Sequence, residues 1–323
     1  MPWRSSPGRK APELKRVEPA QSRQAIFDRR QGAFVGTFYR FHSVCIEGIH
    51  MTYRSILVNI DIDGPVAPIV RAATDLAKRS NATLIGFCAA DAPLPISGPG
   101  GEGLVMEAWQ QMRDEIESSF KELREEFEAL VAGAIKTEWR NALESPTRAL
   151  ARWSRMADLV VMAAQEGAAT GNTYRVSDPG SVVLQAGRPL LVVAGGAEQI
   201  AARKIVVAWK DTREARRAVA DAVPLLLSAD EVTVVTVAAE GIEWARDGVA
   251  DVVAFLARHG IKARCEVIVG SDDSGKLLEF FGSCQADLVV SGAFGHSRLR
   301  EWAFGGVTRS LLDEVGRNRF MSS

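Results

Sequence analysis

The pentapeptide ADLVV occurs twice, at Ala157–Asp158–Leu159–Val160–Val161 and again, letter for letter, at Ala286–Asp287–Leu288–Val289–Val290, an offset of 129 residues. A second correspondence, Ile56–Leu57–Val58 with Ile205–Val206–Val207, has an offset of 149. A chain that can be laid on itself in this way folds as copies of one unit. Each copy here exceeds about 110 residues, which makes two domains rather than the coils of a solenoid. The two offsets differ by 20, so the first copy carries 20 extra residues between those landmarks. The length of 323 residues suits two domains. The boundaries expected are a basic extension over 1–52, one domain over 53–197 and a second over 202–323.

Within each copy, short β-branched runs alternate with helical periodicity. In the first copy the runs Ser55–Ile60, Thr83–Cys88, Ile135–Trp139, Asp158–Met162 and Pro189–Val193 read as strands. Helices are expected at Pro68–Arg79, Leu104–Val131, Thr147–Arg155 and Ser181–Ala186. In the long helix Trp109, Met112, Ile116, Phe120, Leu123, Phe127 and Leu130 follow 3–4 spacing and predict one apolar stripe against a sheet. The second copy repeats the scheme with strands Lys204–Trp209, Glu231–Val237, Ala263–Val269 and Asp287–Ser291, and helices Arg213–Leu227, Gly248–Arg258, Ser274–Phe281 and Val307–Val315. Near-continuous apolar strands separated by helices predict an α/β fold, two tandem doubly wound domains, each a mostly parallel five-stranded sheet flanked by helices. Ligands of such sheets bind beyond the carboxyl ends of the strands, where strand order reverses.

Composition excludes several classes. A net charge of −1 argues against a nucleic-acid coat or an anionic-membrane binder. The charge is uneven: residues 1–50 carry nine Lys/Arg against four Asp/Glu, leaving −6 for the rest. An acidic body must build an anion site from backbone dipoles and a few local cations. No apolar run reaches about 18 residues, so no membrane span is expected. Cys45, Cys88, Cys265 and Cys284 form no CxxC pair and no metal-like spacing. Cys88 and Cys265 fall in apolar strand-like runs, as small hydrophobes, and the pattern suits a cytoplasmic protein. His42, His50 and His259 form no cluster, so no metal site is proposed. The first 20 residues are polar, Pro-bearing and basic and read as disordered. GAFVGTFYRFHSVCIEGI lacks the clean apolar core and cleavage site of a secretory signal. The plain reading of this extension is a tail outside the fold, and an upstream translation start with Met51 as the natural beginning is one account of it.

The stretch SGAFGHSRLREWAFGGVTRS at 291–310 follows an expected strand and opens an expected helix. Gly292 and Gly295 let the backbone pass close to a ligand, because no Cβ stands in the way. Gly305 and Gly306 expose the first N–H groups of the next helix, whose partial positive charge favours phosphate. Arg298 and Arg300 are candidate phosphate partners. The alternative is a tight strand-to-helix turn kept for packing.

G-x2-G-x9-G after a DLVV strand, with a first strand such as KIVVAWKDTREARRAV, resembles the universal stress protein family, and the resemblance covers residues 53 to about 320 as two tandem copies. It implies the adenine nucleotide alpha hydrolase-like fold, and a stress-response regulator that binds ATP or AMP or, in other members, none. It also implies pairing of copies through their last strands, here as a domain–domain pseudo-dimer, with a homodimer as a further option. ATP-binding members have an Asp at the tip of the first strand and G-x2-G-x9-G followed by Ser or Thr. The second copy has Gly292, Gly295 and Gly305 but Gly306 at the Ser/Thr place, with Thr308 as a substitute and Lys210 at the strand tip. The first copy keeps Asp61 and the pair Gly180–Ser181. Ala163 and Glu166 replace its first two glycines, and its loop reads as longer, 19 positions from Val161 to Gly180 against 15 from Val290 to Gly305. The expectation is therefore an adenine nucleotide mainly in the second copy. The rival is a nucleotide-free interaction protein, for which PLLVVAGG suits edge pairing while the polar GRNRFMSS predicts a weak edge.

Other motifs carry less. GSDDSGK at 270–276 matches G-x4-G-K, but Leu277 stands where a P-loop needs Ser or Thr, so a capped helix start at Asp273 or Ser274 is expected. His296 has no carboxylate or serine tied to it. SGPGGEG at 97–103 has no cation and reads as a flap or hinge. There is no G-x-S-x-G elbow, and an ATP-consuming enzyme would need a magnesium ligand and an activated nucleophile that the sequence does not name.

Overall fold

In the computed structural model, described over residues 52–94, 102–164, 172–238, 243–270, 273–294 and 306–323 (the side chains of 102 and 273 excepted), ten strands form one sheet. The first half contributes β1 (Ser55–Asn59), β2 (Thr83–Ala90), β3 (Thr137–Leu143), β4 (Leu159–Ala163) and β5 (Leu190–Val193). The second contributes β6 (Lys204–Ala208), β7 (Glu231–Ala238), β8 (Ala263–Val269), β9 (Leu288–Gly292) and β10 (Asn318–Ser322). The spatial order is β3-β2-β1-β4-β5-β10-β9-β6-β7-β8. Each half is thus ordered third, second, first, fourth, fifth, with its switch point between β1 and β4 or between β6 and β9, and all pairs within a half are parallel. Residues 49–323 cluster as one compact unit.

Helices cover both faces, as the fully buried strands require. On one face lie α1 (Val66–Ser80), α2 (Glu102–Val131), α5 (Arg213–Leu226) and α6 (Glu243–Arg258); on the other lie α3 (Pro146–Trp153), α4 (Pro179–Gln185), α7 (Asp273–Ser283) and α8 (Val307–Asp313). Local chemistry sets several ends. Asn81 ends α1 in the left-handed region at φ 51°, its amide bonding back to the Ala77 and Lys78 carbonyls. Thr212 starts α5 by accepting from the Ala215 amide at 3.2 Å. The α2 stripe packs as expected from Ile116 to Phe127, but Met112, one turn earlier, is 38% exposed, and the helix begins two residues before Leu104. Glu102 and Gly103, read as part of a flap, belong to α2; 97–101 lie outside the described residues.

The repeated aspartate has a repeated duty. Asp158 Oδ2 accepts from the amides of Arg54 and Ser55, at 2.8 and 3.0 Å, and Asp287 Oδ2 accepts from those of Arg203 and Lys204, at 3.1 and 2.9 Å. Each holds the leading amides of the strand beside it, which accounts for the Asp in ADLVV.

The last strand corrects the sequence reading. Asn318–Ser322 looked too polar to pair well, yet all five residues are buried and the strand lies at the centre of the sheet. It is parallel to β9 and antiparallel to β5, with Phe320 opposite Leu191. Phe320 is the residue 129 positions beyond Leu191, so each strand meets its own repeat and a local twofold axis passes between the two residues. The side chains of Asn318 and Ser322 are satisfied by neighbouring groups. Asn318 Oδ1 accepts from the Ala194 amide and its Nδ2 donates to the Ala201 carbonyl, both at 2.9 Å, and Ser322 Oγ donates to Asp221 Oδ2 at 2.8 Å.

The edges are β3 and β8, both partly exposed and charged, with Arg140–Glu138 on one and Arg264–Glu231 beside the other, a pattern that discourages strand addition. Cys265, expected as a buried hydrophobe, is exposed because β8 is an edge; Cys88 is buried in β2.

Candidate functional site

In the first half the crevice lies beyond the ends of β1 and β4. Asp61, two residues past β1, is half-buried. Its Oδ1 accepts from Asn59 Nδ2 at 2.9 Å and from the Ser177 amide at 3.4 Å, and Ser177 Oγ donates to Asn59 Oδ1 at 3.4 Å. Above this network Arg175 makes a two-point contact with Asp63, with Nη2 to Oδ1 at 2.7 Å, joining the loop after β1 to the loop after β4. The Arg175 hydrogen bond holds the Asp63 carboxyl below its usual value. A carboxyl lowered on folding stabilises above its unfolded pKa, near pH 4, and loses that contribution as pH falls through its folded value. With 58% of the Asp63 side chain exposed, the pair is worth at most about 1 kcal/mol.

Gly180, expected just before the helix that starts at Ser181, falls inside α4 with it. Its N-cap is Asp178, whose Oδ2 accepts from the Ser181 amide at 2.7 Å. The α4 start thus spends a donor on the chain's own carboxylate, which would also repel a phosphate. A Cβ on Gly180 would lie 3.4 Å from Leu312 Cδ1 and 3.7 Å from Phe294 Cζ, so this glycine faces the second half.

The expected difference in loop length is also corrected. Val161 pairs with Leu191 and Val290 with Phe320, each pair 129 positions from the other, so both copies have the same span between fourth and fifth strands. The N-caps, Asp178 and Gly306, are 128 apart and equivalent within one residue. Ser177, which sequence reasoning passed over, stands 129 before Gly306 and is fully buried against Asp61 and Asn59. Anchoring on glycine letters hid it; counting from ADLVV finds it.

In the second half Gly292 ends β9. A Cβ there would lie 2.5 Å from the Ala215 nitrogen, 2.7 Å from the Glu214 carbonyl carbon and 2.9 Å from Ala215 Cα. The space is occupied by the first turn of α5. Phe294 follows at φ 58°, and its amide donates to Thr308 Oγ1 at 3.1 Å. Thr308 is 4% exposed, so its hydroxyl braces the loop from inside α8. Lys210 is exposed in the turn after β6, where its carbonyl accepts from the Thr212 amide. Gly306 caps α8 at φ −62° and ψ 175°, with no side-chain hydrogen bond to the helix start. Any L residue adopts that backbone, so the conformation does not call for glycine; what glycine supplies is a helix start without a side chain. Gly295, His296, Arg298, Arg300 and Gly305 lie outside the described residues.

At the P-loop-like stretch, Gly270 follows β8 and Lys276 folds back, its Cγ 3.3 Å from where a Gly270 Cβ would sit, with Nζ 3.5 Å from Glu279. Leu277 is buried in the core. Among the described residues there is no His/Cys/Asp/Glu group suited to a metal ion, and no helix is long and apolar enough to cross a membrane.

No family model and no curated protein matches the chain. Among solved structures it is similar to a universal stress protein from Archaeoglobus fulgidus DSM 4304, at a TM-score of 0.64 and 14% identity over 83% of this chain and 96% of that one. It also matches a functionally unknown protein from Pseudomonas aeruginosa PAO1, at 0.49 and 15% over 83% and 92%, and universal stress protein UspA from Lactobacillus plantarum, at 0.32 and 19% over 44% and 97%. The first likeness shows the fold: this chain has the fold of the universal stress proteins, extended over two halves.

Proposed function

We propose that this chain, with the universal stress protein fold in both halves, is a non-catalytic stress-response regulator that takes an adenine nucleotide, ATP or AMP, in its second half only. The observation that carries this reading is the contrast between the two equivalent helix starts. In the first half Asp178 occupies the Ser181 amide; in the second, Gly306 leaves the start of α8 without a side chain, although its backbone does not need glycine. In this reading Gly292, Gly295, Gly305 and Gly306 would hold the phosphates by backbone donors, with Lys210 and Arg298 as helping cations; Gly295, Arg298 and Gly305 lie outside the described residues. Thr308 acts from within, by holding the Phe294 amide. Domains at 53–197 and 202–323 fit this division of labour.

The pairing surface that the family resemblance assigns to last strands is used inside the chain by β5 and β10, so the pseudo-dimer needs no second copy for it.

The test places the first half's device in the second. Gly306→Asp puts a carboxylate on the α8 start, where it serves as a good N-cap. Thermal stability is expected to hold or rise by about 0.5 kcal/mol, while ATP retention in equilibrium dialysis falls at least about tenfold. Unchanged ATP retention by the folded variant would refute the assignment.

A further inference from the structure

The 20 residues that the first copy has in excess of the second include a stretch of exposed helix. Ile116, Phe120, Leu123 and Phe127 of α2 are buried, and the buried Ala245, Val249, Val252 and Leu256 of α6 each lie 129 positions further on. In the same register Glu243, where α6 begins, corresponds to Asp114. Residues 102–113, about 18 Å of helix, therefore have no counterpart in α6.

Local bonds hold this extension. Gln110 and Gln111 donate to Asp114 and Glu115 one turn on, at 2.9 and 3.1 Å, and Trp109 Nε1 donates to the Ala92 carbonyl at 3.2 Å. The Arg113 guanidinium lies over the Trp109 ring, 4.7 Å from its centre. Beside them Leu104, Ala108 and Met112 follow at four-residue spacing, an apolar ridge that leads into Ile116. Ile116 is buried, but Leu104 is 78% exposed, and Ala108 and Met112 are exposed with it. Leu94, two residues beyond Ala92, and Met106 are each more than half exposed as well.

Carboxylates edge the ridge. Glu107, Gln111 and Glu115 form the neighbouring row at the same spacing, with Asp114 beyond it, and all four are exposed. Asp114 and Glu115 are bonded to uncharged glutamines rather than to cations of their own helix. Arg175, a cation that feels the charge of Glu115, is bonded to Asp63. An apolar ridge with a negative border is complementary to a helix with the reverse border, Lys or Arg beside Leu-like residues. Two copies of the ridge face to face would set Glu107 and Glu115 against their own kind, which argues against self-pairing.

We propose that the α2 extension is a docking surface for a cationic amphipathic helix of a partner protein. The partner lays its apolar face on Leu104, Ala108 and Met112, and its Lys or Arg residues beside Glu107, Asp114 and Glu115. The surface is independent of the nucleotide reading, since it lies in the other half and uses none of the same residues.

An amidated peptide of about four helical turns, built of Leu and Lys in amphipathic order, is the probe. Two controls accompany it: the same peptide with Glu for Lys, and a scramble of the Leu/Lys peptide that has no apolar face. On the full chain at low salt, the lysine peptide is expected to shift the amides of Leu104, Ala108, Met112 and Glu115 and to bind at least about tenfold tighter than either control. Leu104→Gln with Met112→Gln keeps good helix formers at exposed places. It is expected to weaken that binding at least about tenfold with the thermal midpoint retained. Glu107→Gln with Glu115→Gln is expected to reduce the salt dependence of binding. Equal binding of either control overturns the proposal, as does full affinity in the Leu104→Gln, Met112→Gln variant or a set of shifts confined to other surfaces. Concentration-dependent dimers of the chain that this variant abolishes would give the ridge to a second copy and overturn it as well.

Discussion

Arg319→Met raises the unfolding free energy by about 2–3 kcal/mol and the midpoint of thermal unfolding by about 5–10 °C, read by calorimetry at neutral pH. Arg319 has no exposed surface in the centre of the sheet. Its Nη1 donates to the Leu311 carbonyl at 3.2 Å, while Nε and Nη2 have no hydrogen-bond partner among the described residues. A guanidinium stripped of water needs its donors met, and here they are met in part only. Burial pulls its pKa down to about 10, the mark of an environment that disfavours the charge. The residue 129 positions earlier is Leu190, fully buried at the corresponding place of β5, so the fold accepts an apolar side chain there. Methionine keeps the length and much of the volume without the unmet donors. A variant less stable than the parent would mean that the Leu311 contact outweighs the desolvation, contrary to this account.

The second large effect concerns a glycine that the sequence offers to a ligand. Gly292→Ala is expected to cost about 2–3 kcal/mol, measured by denaturant unfolding with an unchanged slope. Its new Cβ would lie 2.5 Å from a backbone nitrogen of α5 and 2.9 Å from a Cα, and neither can move without displacing the helix. A phosphate-cradling glycine with open space beside it would accept alanine with little loss of stability and fail only in binding. If Gly292→Ala unfolds at the parent's denaturant concentration, the close approach of α5 to β9 is wrong.

These two residues also mark where the sequence was readable. The α/β class, the strand and helix order and the two-copy plan follow from period and repeat, because fully buried parallel strands have little choice but long apolar runs. Asp158 and Asp287 could be singled out by their repetition before any contact was known. Asn318–Ser322 could not be read in the same way. Polarity in a short segment suggests exposure, and only the fold shows that Asn318 spends its amide on the Ala194 amide and the Ala201 carbonyl. The site was half legible for a related reason. Glycine letters at 180 and 306 look alike, but one lies inside a helix and the other caps one, and strand register rather than composition separates them. Asp178, which holds the Ser181 amide at the α4 start, is an ordinary N-cap in sequence and gains meaning only beside Gly306.

The central claim, one nucleotide in the second half and none in the first, is most directly tested by titrating AMP into the full chain by calorimetry and following amide shifts in the same range. The account predicts one equivalent bound per chain, with shifts at Gly292, Phe294, Gly306 and Thr308 and none at Ala163, Asp178 or Ser181. Two equivalents, shifts confined to the first half, or no binding by a folded chain would contradict it.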